Sequence, residues 1–104
     1  GKQTRSFCFV DDLIEGMIRL MNSDLNTPIN IGNPEQFTIL ELAQKIKTFI
    51  NPNLELIYKP LPQDDPLQRQ PDISKAIHQL SWKPEVDLEN GLKLTIDWFK
   101  KTYF

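Results

Sequence analysis

Two arginines and one aspartate have the chemistry expected of a site for a phosphorylated sugar. Arg5 lies at the start of a β-favouring stretch, and Arg69 lies in a proline-rich segment, three residues before Asp72. An arginine in a stiffened loop offers a planar fork of N–H donors to a phosphate and loses little entropy on binding. A nearby carboxylate can accept hydrogen bonds from the hydroxyls of a ribose. The spacing therefore suits a nucleotide, although Asp72 would equally serve as a helix cap.

Other groups that could do chemistry are isolated in the sequence. His78 is the only histidine and is interpreted as an ordinary surface or half-buried side chain. Cys8 is the only cysteine, lies in an apolar run and is interpreted as a small packing residue. The two Asp-Asp pairs, at 11–12 and 64–65, are adjacent residues that point in opposite directions on an extended chain, so neither is predicted to be an acid/base dyad. No metal site and no glycine-rich dinucleotide loop is predicted.

The composition favours a single globular domain and gives no sign of two other classes of partner. The chain has 104 residues, of which 39% are hydrophobic and 25% charged, which argues against intrinsic disorder. Its net charge of −2 gives no basic patch of the kind that binds nucleic acid. No apolar run approaches the roughly 20 residues of a membrane-spanning helix. Neither a nucleic-acid partner nor a membrane segment is therefore expected.

Alternating strands and helices are predicted to position the candidate side chains. Aromatic residues at 6–10 indicate a strand, and Asp11 or Asp12 should cap a helix that ends near Asn22. A capping box of Thr38 and Glu41 opens a second helix, which Asn-Pro at 51–52 ends. The other predicted elements are short strands at 28–33 and 53–59, an extended proline loop at 60–71, a helix from Asp72 to about Leu80, and a last helix capped by Asp87.

This order predicts an α/β fold with parallel strand pairings. Three short strands make a thin sheet, so either the core is small or the strands join a sheet that other residues supply. In the second case the apolar faces of the first two helices would be exposed. The isolated chain is then expected to self-associate, exchange elements with a copy or be marginally stable.

A series of ordered motifs resembles those of extended short-chain dehydrogenase/reductases that act on nucleotide sugars. Residues 1–13 follow the pattern Gly-x-Gln-x-Arg-x-Phe/Tyr-x-x-Val-x-Asp-Leu, and residues 28–33 and 37–43 resemble the next strand and helix. Residues 64–73 read Asp-Asp-Pro-Leu-Gln-Arg-Gln-Pro-Asp-Ile and resemble the Asp-Asp-Pro-x-x-Arg-x-Pro-Asp-Ile signature of UDP-glucuronate decarboxylases, the UDP-xylose synthases. Residues 80–92 carry the closing Leu-x-Trp-x-Pro and Leu-x-x-Gly-Leu patterns.

The resemblance implies roles for four residues. Arg5 and Arg69 would contact the diphosphate from two sides, Gln3 would lie near the nucleotide, and Asp72 would accept from the ribose or orient the loop. Residues 1–104 would be the carboxy-terminal UDP-sugar-binding portion of a Rossmann-type enzyme, whose amino-terminal domain binds NAD. The family's Tyr-x-x-x-Lys pair does not occur in this sequence. Catalytic and cofactor-binding residues are therefore expected elsewhere, and this portion alone is expected to be inactive.

The implied reaction is the NAD-dependent conversion of UDP-glucuronate to UDP-xylose and CO2. It would proceed by oxidation of the sugar at C4, loss of CO2 from the β-keto acid and reduction of the ketone. Two alternatives stay open: a nucleotide-sugar 4-epimerase or 4,6-dehydratase, and a non-catalytic nucleotide-binding module. The resemblance also implies a homodimer of the full-length enzyme and a cytoplasmic location, or the Golgi lumen for a eukaryotic relative.

Overall fold

Short strands and longer helices make up the part of the chain that a computed structural model describes, which is residues 1–60, 62 and 66–103. Four helices and two strands occur among these residues. In chain order they are β1 (Thr4–Arg5), α1 (Val10–Met21), β2 (Phe37–Thr38), α2 (Ile39–Ile50), α3 (Ser74–Leu80) and α4 (Leu88–Tyr103). All four helices lie close to their predicted positions, because each has an apolar periodicity that is visible locally in the sequence.

The predicted strands are wrong in position. The strand predicted at 6–10 does not form there, because β1 ends at Arg5 and α1 begins at Val10. The strands predicted at 28–33 and 53–59 form no ladder with any described residue. A strand needs a second backbone beside it to satisfy its amide and carbonyl groups. The described part of the chain offers these two stretches no such neighbour.

The sheet found among the described residues joins β1 to β2, and the relative direction of its strands differs from the prediction. The two strands are antiparallel, with Thr4 opposite Thr38 and Arg5 opposite Phe37. The parallel pairing that the sequence predicts is limited, among described residues, to an isolated bridge between Thr4 and Gln68. The β1 strand therefore has a different neighbour on each side, and this places it at the centre of the candidate site.

Two predicted helix caps are confirmed. Thr38 Oγ1 accepts from the Glu41 amide at 3.0 Å, and Glu41 Oε1 accepts from the Thr38 amide at 3.4 Å, which completes the capping box of α2. Asp87 Oδ1 accepts from the Asn90 amide at 2.8 Å at the start of α4. Both caps join residues only three positions apart, so local sequence is enough to predict them.

The caps predicted for the other two helices are wrong in detail. The helix α1 follows Phe9 and has no side-chain cap, because neither Asp11 nor Asp12 precedes its first turn. The N-cap residue of α3 is Ile73, not Asp72. Asp72 still stabilises the start of α3, since its Oδ1 accepts from the Ser74 amide at 2.9 Å.

The core is small and centred on Trp82, whose side chain is 2% exposed. It packs with the buried residues Ile73, Ala76 and Leu80, which come from α3 and the residue before it. Partly buried side chains complete this cluster: Cys8, Leu20, Leu25, Ile29 and Ile31. The core thus joins α3 to the loops on either side of α1.

The helix α1 turns its apolar face away from this core. Its buried residues are Asp12 and Gly16. The exposed large side chains of α1 recur at helical spacing: Val10, Leu13, Ile14, Met17, Ile18 and Met21. The predicted exposure of this face is confirmed, and α2 likewise has no fully buried residue. Within the described residues, none of the helices combines the length and apolar character needed to cross a bilayer.

Candidate functional site

The candidate site forms where β1 meets the loop at residues 66–72, which we call the Arg69 loop. The Thr4 amide donates to the Leu67 carbonyl at 2.8 Å, and Thr4 lies opposite Gln68 in the parallel bridge. The Ser6 hydroxyl is 3.5 Å from the Arg69 carbonyl, at the limit of a hydrogen bond. Two residues that are distant in sequence, Arg5 and Arg69, are therefore carried by adjacent and roughly parallel backbone segments.

The two arginine side chains have different surroundings. The Arg5 guanidinium donates from Nη1 to the Thr4 carbonyl at 2.7 Å, and the residue is partly buried. Arg69 is exposed, and its guanidinium makes no hydrogen bond or ion pair with the described residues. An exposed guanidinium on a loop that is fixed through its backbone can bind an anion without first breaking a strong contact.

Gln3 is held by its backbone. Its carbonyl accepts from the Ile39 amide at 2.9 Å, and the Gly1 carbonyl accepts from the Leu40 amide at 3.0 Å. With the Glu41 amide bonded to Thr38, the first three amides of α2 all have partners. The start of α2 is thus occupied by the chain's own groups, and the partly buried Gln3 side chain remains as the group that could reach a ligand here.

Asp72 is engaged in ordering the loop. Its Oδ1 accepts from the Ser74 hydroxyl at 2.6 Å and from the Ser74 amide at 2.9 Å. These hydrogen bonds, the hydroxyl first and the amide second, lower the pKa of the Asp72 carboxyl. The Asp72 carbonyl also accepts from Asn30 Nδ2 at 3.3 Å. These contacts fix Asp72 against Ser74 and Asn30. The roles that the resemblance implies for Asp72, ribose binding or loop orientation, stay predictions.

The first part of the signature motif lies outside the described residues. Gln63, Asp64 and Asp65 belong to this undescribed part, together with Leu61 and Phe104. The prediction that Asp64 and Asp65 are not an acid/base dyad therefore stays a prediction. The second part of the motif, from Pro66 to Ile73, lies within the described residues, and residues 66–72 of it form the Arg69 loop.

A buried carboxylate that the sequence reasoning treated as a helix cap has another function. Asp12 is 8% exposed, and its Oδ2 accepts from the Val86 amide at 2.9 Å and the Glu85 amide at 3.1 Å. Its backbone carbonyl accepts from Trp82 Nε1 at 2.9 Å. Asp12 therefore ties the start of α1 to the turn that follows Trp82. The available signal was that Asp12 and Trp82 both occupy fixed places in the family motifs.

Cys8 and His78 lie where the sequence predicts them, among apolar side chains and on the surface respectively. Cys8 packs against the core cluster. Burial raises the pKa of its thiol, and the Asp12 carboxylate raises the pKa further. A thiol with a raised pKa is a poor nucleophile at neutral pH. His78 is exposed on α3, as predicted. In the described part of the chain, no three metal-binding side chains come together.

Two helical glycines are used for close packing. A Cβ on Gly16 would lie 2.7 Å from Ile31 Cγ2 and 3.2 Å from Trp82 Cε2, and one on Gly91 would lie 3.3 Å from Phe9 Cδ1. Gly16 lets α1 approach Ile31 and Trp82, and Gly91 lets α4 approach Phe9. Both glycines lie within helices and not in a phosphate-cradling turn. That NAD binds outside this chain stays a prediction.

Curated proteins similar to this chain are UDP-glucuronic acid decarboxylases. UDP-glucuronic acid decarboxylase 3 of Arabidopsis thaliana is 51% identical over 100 residues, which are 96% of this chain and 29% of that protein. UDP-glucuronic acid decarboxylase 1 of Danio rerio is 48% identical over 101 residues, which are 97% of this chain and 24% of that protein. The chain thus spans less than a third of the length of these relatives. No family model matches it.

Two solved structures with the same fold are nucleotide-sugar epimerases. The UDP-glucose 4-epimerase of Thermotoga maritima, solved with UDP-glucose, has a TM-score of 0.93 and 34% identity, over 100% of this chain and 34% of that one. The UDP-glucuronic acid 4-epimerase of Bacillus cereus, solved with UDP-glucuronic acid and NAD, has a TM-score of 0.83 and 34% identity, over 99% of this chain and 34% of that one. The predicted resemblance and fold class are therefore confirmed: this chain is similar in sequence to a portion of UDP-glucuronic acid decarboxylases, and it has the fold of a portion of the extended short-chain dehydrogenase/reductases that act on nucleotide sugars.

Proposed function

We propose that this chain is the carboxy-terminal, UDP-sugar-binding portion of a longer NAD-dependent UDP-glucuronate decarboxylase. The observation that carries the proposal is the pairing of β1 with the Arg69 loop, which places Arg5 and Arg69 on adjacent segments. The identity of about 50% to decarboxylases supports the choice of reaction. In the longer protein, this portion would hold the substrate while residues outside it perform the chemistry.

The proposed ligand carries its charge where the two arginines are. A diphosphate is a dianion at neutral pH, and each guanidinium can donate two parallel hydrogen bonds to phosphate oxygens. Arg5 would bind from the strand and Arg69 from the loop. Gln3, two residues before Arg5 in sequence, would contribute an amide group near the nucleotide. Asp72 would act by fixing the loop through Ser74, in agreement with its contacts.

The cofactor is proposed to bind elsewhere in the longer protein. NAD is present in the solved UDP-glucuronic acid 4-epimerase, which this chain matches over 34% of its length. In this chain the glycines pack against side chains, and no Tyr-x-x-x-Lys pair occurs. We therefore assign substrate binding alone to these residues. We also propose that the longer protein is a homodimer and is located in the cytoplasm, as the resemblance implies.

A 4-epimerase is the second candidate, because two solved structures that match this chain at 34% identity are 4-epimerases. The higher identity to decarboxylases, 48–51% over essentially the whole chain, favours decarboxylation. A 4,6-dehydratase would share the same binding groups. A non-catalytic nucleotide-binding module is less favoured, because the relatives in which this segment occurs are enzymes.

The product of the full-length protein distinguishes these reactions. Purified protein is incubated with UDP-glucuronate and NAD, and the nucleotide sugars and released CO2 are quantified. UDP-xylose with stoichiometric CO2 is expected. A 4-epimer without CO2 would replace the decarboxylase by the epimerase, and binding of UDP without any turnover would favour the non-catalytic module.

Arginine variants test the binding site independently of the reaction. Arg69→Ala and Arg5→Ala should each weaken UDP binding about 10- to 100-fold, since hydrogen bonds to a charged group contribute about 1.5–3 kcal/mol. Arg19→Gln is the matched control, because Arg19 pairs with Glu15 at 3.0 Å and with carbonyls at the end of α3, away from the site. Equal affinities for all three variants would refute the proposed diphosphate contacts.

A further inference from the structure

One amide oxygen links the two segments that carry the arginines. Gln36 Oε1 accepts from the Gln68 side-chain amide at 2.8 Å and from the Thr4 hydroxyl at 3.2 Å. Thr4 immediately precedes Arg5, and Gln68 immediately precedes Arg69. Thr4 and Gln68 also lie opposite each other in the parallel bridge. The Gln36 oxygen therefore bonds both segments at the same register position.

The backbone around Gln36 is fixed on both sides. Before it, the buried Asn33 side chain accepts from the Glu35 amide at 3.0 Å and closes a turn. After it, Phe37 pairs with Arg5 in the antiparallel sheet. The Pro34 carbonyl in the same turn accepts from the Gln70 side chain at 2.9 Å, which gives the Arg69 loop a second attachment to this segment. Gln36 is thus a preordered acceptor, presented by a rigid turn and strand.

We propose that Gln36 is a positioning residue of the diphosphate site, which sets the distance and register between Arg5 and Arg69. This proposal rests on the proposed function, because it assumes that the two arginines bind one ligand. Gln36 bonds the residues next to the arginines, so its contribution is geometric. If the acceptor is removed, the Thr4 hydroxyl and the Gln68 amide lose their common partner, and the loop keeps fewer attachments to β1. Closing the two arginines on a diphosphate then costs more conformational entropy.

The test compares two substitutions at Gln36 in the full-length protein. Gln36→Met keeps the length of the side chain but removes the acceptor. It should raise the Kd for UDP, measured by calorimetry, and the KM for UDP-glucuronate about three- to tenfold, with kcat within about twofold, since one or two modest hydrogen bonds are lost. Gln36→Glu keeps an oxygen that accepts from both donors; in a buffer of high ionic strength, where the added charge is screened, it should recover most of the affinity lost by Gln36→Met. Gln79→Met, at an exposed glutamine of α3, is the matched control and should bind UDP like the parent.

A second variant tests the hydrogen bond between Gln36 and Gln68 by changing the donor on the Arg69 loop. Gln68→Met removes one of the two donors and should weaken UDP binding by part of the effect of Gln36→Met. The double variant should be no weaker than Gln36→Met alone, because both changes remove the same hydrogen bond. If Gln36→Met does not fold, Gln68→Met alone still tests the contact, and UDP binding like that of the parent would then refute the positioning role.

The outcomes separate this inference from the proposed function. If Arg69→Ala weakens UDP binding and Gln36→Met does not, the positioning role is refuted and the diphosphate site stands. If Gln36→Glu binds as weakly as Gln36→Met at high ionic strength, where the added charge is screened, the acceptor role is refuted. If neither Arg5→Ala nor Arg69→Ala weakens binding, the proposed function itself fails.

Discussion

Replacing Asp12 with alanine should destabilise the fold far more than replacing its neighbour Asp11. The Asp12 carboxylate accepts from two backbone amides, of Glu85 and Val86, and is 8% exposed. A hydrogen bond to a charged group contributes about 1.5–3 kcal/mol, and an amide left without a partner adds a penalty. Because Glu85 is exposed, water can reach its amide after truncation. We therefore expect the free energy of unfolding to fall by about 3 kcal/mol, which is the lower end of what two such hydrogen bonds contribute.

Asp11→Ala is the control for this experiment. Asp11 is also in the first turn of α1, but it is exposed, and its loss removes only a favourable interaction with the helix dipole of about 0.3–1 kcal/mol. Asp12→Asn should lie between the two, because its amide oxygen can still accept from both N–H groups but without the charge. Urea unfolding followed by far-ultraviolet circular dichroism measures all three. An Asp12→Ala variant within about 1 kcal/mol of Asp11→Ala would refute the tie between α1 and the turn after Trp82.

Two further predictions concern residues packed near Trp82. Gly16→Ala should lower the free energy of unfolding by about 1–2 kcal/mol, because the new Cβ would lie 2.7 Å from Ile31 Cγ2 and overpacking outweighs the gain in helix propensity. Adding Ile31→Ala to the same chain should relieve part of this loss. Purely additive losses in a double-mutant cycle would contradict the steric explanation. Cys8 should react with iodoacetamide more slowly in the folded chain than in urea. Its reaction rate should begin to rise at a higher pH than that of an exposed thiol, because the raised pKa of Cys8 keeps the thiolate scarce. A rate like that of a free cysteine would show that the thiol is not shielded.

The sequence was sufficient for features that depend on nearby residues. The capping box of Thr38 and Glu41 spans three residues, and the apolar periodicity of α1 is contained in twelve. Both were predicted correctly. The strands were not, because a strand is defined by its partner, and the partners of β1 are residues 37–38 and 67–68.

The candidate site shows the same division. Arg5, Arg69 and Asp72 have side chains whose chemistry is evident from their type, so they could be singled out before the fold was known. Asp12 gave a local signal that led to the wrong role, since an acidic residue in a first helical turn is usually a cap or a dipole partner. Its true partners are more than 70 residues away, at |i−j| of 73 and 74. Gln36 gave no local signal, because its function depends on where Thr4 and Gln68 meet.

The contacts of β1 and its neighbours are with segments far away in the sequence, and this affects the order in which the chain folds. The contacts that build the site join residues separated by 32 positions, for Gln36 with Thr4 and with Gln68, and by 63 positions for Ser6 with the Arg69 loop. Loop closure over 63 residues costs only about 0.6 kcal/mol more than closure over 32, so the longer contact is a small extra burden once the shorter one exists. The helices, with local contacts, can form first, and the arginines meet only when three distant segments have docked. We therefore expect the ligand-binding geometry to be among the last features gained in folding, and a bound diphosphate to stabilise the docked arrangement of the whole chain rather than one loop.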